Sequence, residues 1–183
     1  QVETARVADV EIFHNRAAAE PTWRSLEGPG SVLTPYQRFD LLAAWQNHIG
    51  IQTGVEPLIA VARDGRRQPL MLMPFGIQRD HGVGIARFLG DKHITFNMPI
   101  WRRDFLATAT RSEIDMVLDT LRAPALAIDV LALARQPRRW QNLANPMALL
   151  PTQASVNGCP LMPIEANTPP TALISNSFRR RLK

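Results

Sequence analysis

The sequence predicts a mixed fold, α+β or α/β, in which helices flank a largely antiparallel sheet. Apolar residues recur at helical spacing on both sides of residues 57–89, whereas this central region holds near-continuous apolar runs separated by turns. The chain has 183 residues, of which 45% are hydrophobic and 20% are charged. This composition is typical of a globular chain that is long enough to bury a substantial core.

The first predicted elements are one strand and two helices. Residues 7–13 alternate apolar and polar side chains, which predicts a strand. Residues 16–27 have a helical pattern. Thr34 is the expected N-cap of a second helix, with Pro35 at its first position, and we expect this helix to continue to Gly50.

The central region predicts three consecutive antiparallel strands. Residues 57–63 and 68–78 are nearly all apolar and are joined by a turn, which is typical of a hairpin covered on both faces. A second turn leads to a third strand over residues 83–89. Because Pro69 and Pro74 have no backbone N–H, we expect the second strand to lie at a sheet edge or to contain a bulge.

The following region predicts a helix, a strand and a short helix. Thr110 and Glu113 have the spacing of a capping box, and the apolar stripe after them is the clearest helical signal in the chain. Residues 126–133 predict a buried strand, in which an inward-facing Asp129 would need a polar partner. Residues 137–145 predict a short helix.

Residues 168–183 predict an amphipathic helix whose apolar stripe is still running at Lys183. We therefore expect two parts. Residues 1–167 would form an amino-terminal lobe, and residues 168–183 would begin a linker helix toward a second lobe that this chain does not include.

Charge and cysteine content limit the function classes. The formal net charge is +5, and of 21 basic residues only Lys92 and Lys183 are lysines. Arginine guanidinium groups suit contacts with phosphates and carboxylates. The single Cys159 excludes an internal disulfide and a cysteine-based metal site within one chain, so we expect no metal and a cytoplasmic location. No apolar run approaches membrane-spanning length, so we also expect no membrane span.

Residues 87–101 carry the main functional signal. Asp91, Lys92, His93 and Asn97 lie close together between apolar anchors, directly after the predicted strands, where a rigid sheet can present a binding loop. His93 is a candidate base because imidazole is the side chain most suited to proton transfer near neutral pH. Its alternative role is to anchor the loop, and a polar turn between strands without any function is the alternative for the whole segment.

Four segments carry a resemblance to a known family. They are TPYQRFDLLAAW, PLIAVARDGRRQPLMLMPF, RFLGDKHITFNMPIW and NSFRRRLK. Their order and spacing over residues 34–183 resemble the amino-terminal half of bacterial acetyltransferases of the cellulose-biosynthesis type, within the GNAT superfamily. The resemblance implies a GNAT-like fold and two tandem lobes, of which this chain would be the first.

The resemblance also implies a reaction, in which an acyl group passes from acetyl-CoA or another acyl-CoA to an amine-bearing acceptor. It places Asp91, Lys92 and Asn97 on the acceptor side of the cleft, with His93 as the candidate catalytic residue. Arg179 and Arg180 are candidates for contacts with the cofactor, although most of the acyl-CoA groove would lie in the second lobe of the same polypeptide. This chain alone would then be inactive.

Residues 79–84 imitate the superfamily's pyrophosphate loop with the pattern R-x-x-G-x-G. That loop joins a strand to a helix, whereas the residues after Gly84 continue as a strand. We therefore expect a hairpin turn at His81-Gly82.

Two other function classes stay open. One is a GNAT-like interaction module that has kept the fold without the chemistry. The other is a basic nucleic-acid-binding domain, for which the pI near 10.6 argues, although no recognised binding motif supports it. A lobe without its partner would expose an apolar face, so a homodimer also stays open.

Overall fold

The computed structural model describes residues 5–159 and 167–169. Its strands are β1 (Asp9–Phe13), β2 (Ser31–Val32), β3 (Glu56–Arg63), β4 (Pro69–Asp80), β5 (Val83–Phe88), β6 (Ile100–Arg102), β7 (Val130–Ala132), β8 (Arg139–Trp140) and β9 (Leu143–Ala144). The first seven strands form one sheet with the order β1-β3-β4-β5-β7, and β6 pairs with both β2 and β4. All of these pairs are antiparallel except β5 with β7.

Helices flank the sheet on both faces. They are α1 (Arg16–Ser25), α2 (Phe39–Trp45), α3 (Arg103–Leu106) and α4 (Arg111–Leu121), and a π-helical turn, Gln46–Gly50, continues α2. In β3, Leu58 and Ala60 belong to a core that includes α4, whereas Ile59 and Val61 belong to a second core that includes α1 and α2. Successive strand residues face opposite sides of a sheet. The mixed architecture and the hairpin covered on both faces are therefore confirmed.

Strand β4 is the central strand of the sheet, so the expected edge position is wrong. The alternative expectation of a bulge is confirmed, because the register with β3 shifts between Ala62–Met71 and Arg63–Pro69 and leaves Leu70 as an extra residue on β4.

Strand β4 pairs with β3 along one side, and along its other side with β6 at Met71-Leu72 and with β5 from Phe75 onward. Pro74 lies at the gap between these two partners, and its carbonyl accepts a hydrogen bond from the Leu89 N–H at 2.8 Å. In an antiparallel sheet the N–H and C=O of one residue point toward the same neighbouring strand. The carbonyl of Pro74 points away from β3, so the missing N–H of Pro74 costs no hydrogen bond with β3.

Side-chain caps set the beginnings of two helical segments as predicted. Thr110 and Glu113 form a capping box, in which the Thr110 N–H donates to the Glu113 carboxylate at 2.9 Å. Thr34 caps a short 3-10 turn, Pro35–Gln37. These caps satisfy backbone N–H groups that have no partner within the helix.

The single helix predicted from Thr34 to Gly50 is interrupted at Arg38, whose backbone is extended. The Gln37 side chain is buried and donates to the Phe96 carbonyl at 2.9 Å, which holds the 3-10 turn against the loop before β6. A new helix then begins at Phe39, whose N–H donates to the carboxylate of Glu27. Apolar spacing predicted helical structure across both segments. It could not show that they are separate, because the second begins at a carboxylate distant in sequence.

The strand predicted over residues 126–133 shortens to β7. Among the described residues this strand is the last in the sheet order, and Val130 on it is 47% exposed. Asp129 does have a polar partner, since its carboxylate accepts a hydrogen bond from the Gly84 N–H at 2.7 Å. That bond fixes the parallel pairing of β7 with β5.

The short helix predicted over residues 137–145 is wrong. The segment forms the small hairpin of β8 and β9, with Gln141 and Asn142 at φ values of 49° and 61° in the turn between them. Positive φ values at both turn positions match the twist of a two-residue hairpin and are incompatible with a right-handed helix. Asn145 then caps a 3-10 turn, Pro146–Leu149.

Arg102 ties the β3–β4 turn to the beginning of α3. Its Nε donates to Asp104 at 2.7 Å and its Nη1 donates to Asp64 at 3.4 Å. The bond from Arg102 holds the pKa of Asp104 below its usual range. Burial raises the pKa of Asp64, but bonds from the backbone N–H groups of Gln68 and Arg66 and from Arg102 outweigh burial, so this pKa is also lowered.

The chain divides into two compact units, Gln1–Pro151 and Thr152–Lys183. The sheet and its helices belong to the first unit. In the second unit, the Ser155 hydroxyl donates to the Asn157 carbonyl at 2.7 Å, and Cys159 is a free, exposed thiol. Apart from residues 168 and 169, the terminal helix expected over residues 168–183 lies outside the described residues, together with Arg179 and Arg180. The boundary at residue 167 stays a prediction.

The contact between β5 and the chain before β7 predicts a cost for any side chain at Gly84. A Cβ there would lie 2.1 Å from the backbone oxygen of Ala127, and backbone cannot move aside as a flexible side chain can. We expect Gly84→Ala to lower the free energy of unfolding by about 1–3 kcal/mol, measured by urea denaturation.

The matched control is Gly65→Ala in the β3–β4 turn, where a Cβ would meet nothing within 4 Å. We expect it to change the free energy of unfolding by less than about 0.5 kcal/mol. Equal stability of the two variants would contradict the β5–β7 arrangement.

Candidate functional site

The candidate site lies where the chain leaves the sheet between β5 and β6. Both strands pair with the same side of β4, Phe88 opposite Phe75 and Ile100 opposite Leu72. Eleven residues, 89–99, therefore separate two pairing positions that lie only three residues apart on β4, and they leave the sheet as a loop. The extruded loop, residues 89–99, contains all four polar residues predicted for the site.

Gly90 lies near the start of this loop, at a position where any other residue would be strained. Its φ is 98°, in the left-handed region, and a Cβ would lie 1.9 Å from the Cδ1 of Ile94. A single 3-10 turn, Asp91–His93, follows. The side chains of Asp91, Lys92 and His93 are all exposed on this turn.

Arg135 holds the loop in place from the segment after β7. Its guanidinium donates to the carbonyl of Asp91 and, at 3.0 Å, to the carbonyl of Ile94. In return, the Arg135 carbonyl accepts the Asn97 N–H at 3.0 Å. Arg135 was not among the predicted site residues, and no local pattern could have indicated its role, because its partners lie about forty residues earlier.

Asn97 is a buried anchor of the loop. Its side chain is 5% exposed, and its amide donates to the carbonyl of Ala134 at 3.4 Å. Its Oδ1 is buried without a hydrogen-bond partner among the described residues. The proposed role of Asn97 in acceptor binding stays a prediction, although its contacts are those of a residue that fixes loop position.

A cleft of about 430 Å³ opens between the loop, the end of α2 and the β4–β5 hairpin. Its apolar lining includes Trp45, Ile49, Val55, Ile85 and Leu89. Its polar lining consists mainly of Gln78, Arg87, Asp91, Lys92 and His93. The structure therefore brings Asp91, Lys92 and His93 to the rim of one cavity, whose size is typical of a small-molecule site, and leaves Asn97 outside its lining.

His93 is held at this rim by Trp45. The Trp45 indole N–H donates to His93 Nδ1 at 3.1 Å. Because an indole can only donate, Nδ1 must carry the lone pair, and the proton of the neutral ring lies on Nε2. Within the described part of the chain Nε2–H has no partner, so His93 can donate a hydrogen bond to a ligand. Acting as a base at Nδ1 would require breaking the bond to Trp45.

Two cleft residues were missed by sequence analysis. Trp45 has the helical spacing of a core residue, but it is only partly buried and its indole reaches His93. Arg87 lies on β5 between Ile85 and Leu89, which share its face of the sheet, and its guanidinium donates to Gln78 at 3.3 Å. The alternation of strand residues could have found Arg87, because it places an arginine on the same face as two apolar cleft residues.

The R-x-x-G-x-G pattern at residues 79–84, which resembles a pyrophosphate loop, forms a hairpin turn, as expected. His81 and Gly82 have φ values of 49° and 85° and join β4 directly to β5, so no helix begins there. A phosphate-binding loop needs the free N–H groups of a helix beginning. These residues therefore play no part in the cleft.

No protein family, no curated protein and no solved structure matches this chain. Among the described residues, no group of three or more His, Cys, Asp or Glu side chains could hold a metal ion. Nor does any helix within these residues have the length and apolar character to cross a membrane.

The bond between Trp45 and His93 predicts a change in the imidazole when Trp45 is replaced. We expect Trp45→Phe to shift the ratio of the two neutral tautomers of His93 by about fivefold away from the Nε2–H form, because one hydrogen bond of ~1 kcal/mol is lost. The ratio is measured from the ¹⁵N chemical shifts of the ring nitrogens.

The matched control is Trp140→Phe, because the buried Trp140 indole N–H has no partner among the described residues. We expect the His93 tautomers to be unchanged in this variant. An equal change in both variants, or none in Trp45→Phe, would rule out the bond.

Proposed function

We propose that this chain is the amino-terminal, acceptor-binding lobe of an acyl-CoA-dependent N-acyltransferase that resembles the cellulose-biosynthesis type of the GNAT superfamily. The observation that supports the proposal is the cleft at the β5–β6 loop, with Asp91, Lys92 and His93 at its rim. These are residues of the segment GDKHITFNMP that the resemblance assigns to the acceptor side. The mixed, mostly antiparallel sheet flanked by helices is compatible with that superfamily.

The rim residues suit an amine-bearing acceptor. The exposed carboxylate of Asp91 can attract an ammonium group, and neither Asp91 nor Lys92 has an ion-pair partner among the described residues. His93 can donate from Nε2–H to an oxygen of the acceptor or of the acyl group. Its role would then be to position a reacting group rather than to remove the proton, although the role of base stays a prediction.

The acyl-CoA would be held mainly by a second lobe of the same polypeptide and would supply the activated thioester. Arg179 and Arg180 stay candidates for contacts with its phosphate groups. The residues of the described lobe would orient the amine, and the apolar walls of the cleft would exclude water from it.

Ion pairing argues against the nucleic-acid alternative. Eight arginines of the described region form ion pairs with carboxylates, and they are spread along the sequence from Arg6 to Arg122. They are Arg6, Arg24, Arg38, Arg63, Arg67, Arg102, Arg111 and Arg122. Guanidinium groups neutralised in this way do not form the continuous basic surface that binds a phosphate backbone.

The proposal predicts amine-dependent release of CoA by the full-length polypeptide from acetyl-CoA, detected with a thiol reagent across a panel of primary amines. We expect His93→Ala to reduce kcat/KM by about 100-fold. His93→Gln should retain much of the activity if His93 acts as a donor, because the glutamine amide can replace Nε2–H, and should lose it if His93 is the base.

The matched control is His48→Ala, because His48 is exposed on the neighbouring π-helical turn and does not line the cleft. We expect normal activity from this variant. Absence of amine-dependent CoA release, with acetyl-CoA bound or not, would favour the interaction module instead.

A further inference from the structure

Arg87 is a cation without a counter-charge in the wall of the cleft. Its side chain is partly buried, and its only described hydrogen bond goes to the neutral amide oxygen of Gln78. No carboxylate within residues 5–159 and 167–169 lies within ion-pair distance of Arg87, whereas eight other arginines of this region have such a partner. Removing a charge from water is costly unless a partner compensates for it. A ligand anion would provide this compensation.

The sheet fixes the position of Arg87 in the wall of the cleft. Arg87 on β5 lies opposite Gly76 on β4, and directly opposite residues of antiparallel strands project to the same face. Gly76 has no side chain, so Val55 and Leu89 can pack directly against the backbone there. A Cβ at this position would lie 2.4 Å from Val55 Cγ1 and 2.8 Å from Leu89 Cδ2. The guanidinium is therefore set beside apolar walls formed by Val55, Leu89 and Ile85.

The charges of the cleft favour a ligand of mixed charge over a phosphate. The lining offers two cations, Arg87 and Lys92, together with the carboxylate of Asp91. A phosphate dianion would be repelled by Asp91, and phosphate sites usually add several backbone N–H groups of a helix beginning or a loop nest. A single carboxylate is matched by the planar fork of one guanidinium. An amine elsewhere on the same ligand would be attracted by Asp91.

We infer that the cleft binds an amino-acid-like molecule, with its carboxylate on Arg87, its amine at the Asp91 rim and an apolar side chain against the walls. The assignment of this molecule as the acyl acceptor rests on the proposed function; the binding site itself does not. An acceptor of this class would explain why one cleft combines an unpaired arginine, an unpaired carboxylate and apolar walls.

The test is an NMR titration of the full 183-residue chain with three matched probes, without acyl-CoA. The probes are phenylalanine, phenylalaninamide, which lacks the carboxylate, and hydrocinnamate, which lacks the amine. The readout is the indole N–H signal of Trp45 and the Nε–H signal of Arg87. We expect phenylalanine to bind with a Kd of about 1 mM or tighter and phenylalaninamide to bind about tenfold more weakly.

Variants locate the carboxylate contact. We expect Arg87→Gln to remove the preference for phenylalanine over its amide and Arg87→Lys to retain part of it, because the charge is kept but the fork is lost. Arg79→Gln is the matched control, since Arg79 is exposed on the same hairpin and does not line the cleft. Its binding should equal that of the wild type. Unchanged Trp45 signals in the free variants show that the fold is retained.

Equal binding of phenylalanine and its amide, an unchanged preference in Arg87→Gln, or no saturable binding up to about 10 mM would overturn the inference. Equal binding of phenylalanine and hydrocinnamate would overturn the amine contact. The titration contains no acyl-CoA, so it is independent of the CoA-release assay. Binding that depends on Arg87 without acyl transfer would support this inference and contradict the proposed function. Acyl transfer without such binding would do the opposite.

Discussion

Two strands, β5 and β6, share one side of β4, and the loop and the cleft beside it depend on this arrangement. Had β5 continued along β4, the loop of residues 89–99 would not exist, and Leu72 would face Asp91 instead of Ile100. Pro74 marks the position at which one partner replaces the other, because it has no N–H to offer to either. The chain between β5 and β6 must leave the sheet there and return to it. This departure creates the rim over the cleft.

The extruded loop is held by contacts from three directions. Arg135 binds its carbonyls, Trp45 binds the imidazole of His93, and Gln37 binds the Phe96 carbonyl. Each partner comes from a different part of the first compact unit, so the position of the loop depends on how these parts pack together. A loop fixed in this way can present polar side chains without the entropy cost that a mobile loop would pay on binding.

The sequence predicted the elements with strong periodicity and missed those set by distant contacts. Three consecutive antiparallel strands followed from their apolar runs, and the N-cap at Thr34 and the capping box at Thr110 followed from residue type and spacing. The break in the helix at Arg38 could not be predicted in this way, because it depends on the carboxylate of Glu27. The hairpin of β8 and β9 was mistaken for a helix because two polar residues, Gln141 and Asn142, adopt positive φ values that their identities only weakly indicate.

Three of the four predicted site residues line one cleft, and the fourth does not, so the site itself stays a prediction. Asp91, Lys92 and His93 reach the cleft, whereas Asn97 is buried beneath the same loop, a difference that sequence alone could not reveal. Arg87 was the residue that strand alternation could have found.

Cross-strand nuclear Overhauser effects at Leu72 test the central arrangement most directly. The shared side of β4 requires contacts between Leu72 and Ile100, together with contacts between Phe75 and Phe88. Contacts between Leu72 and Asp91, in the register of an uninterrupted β5, would contradict the extruded loop and the cleft that it forms.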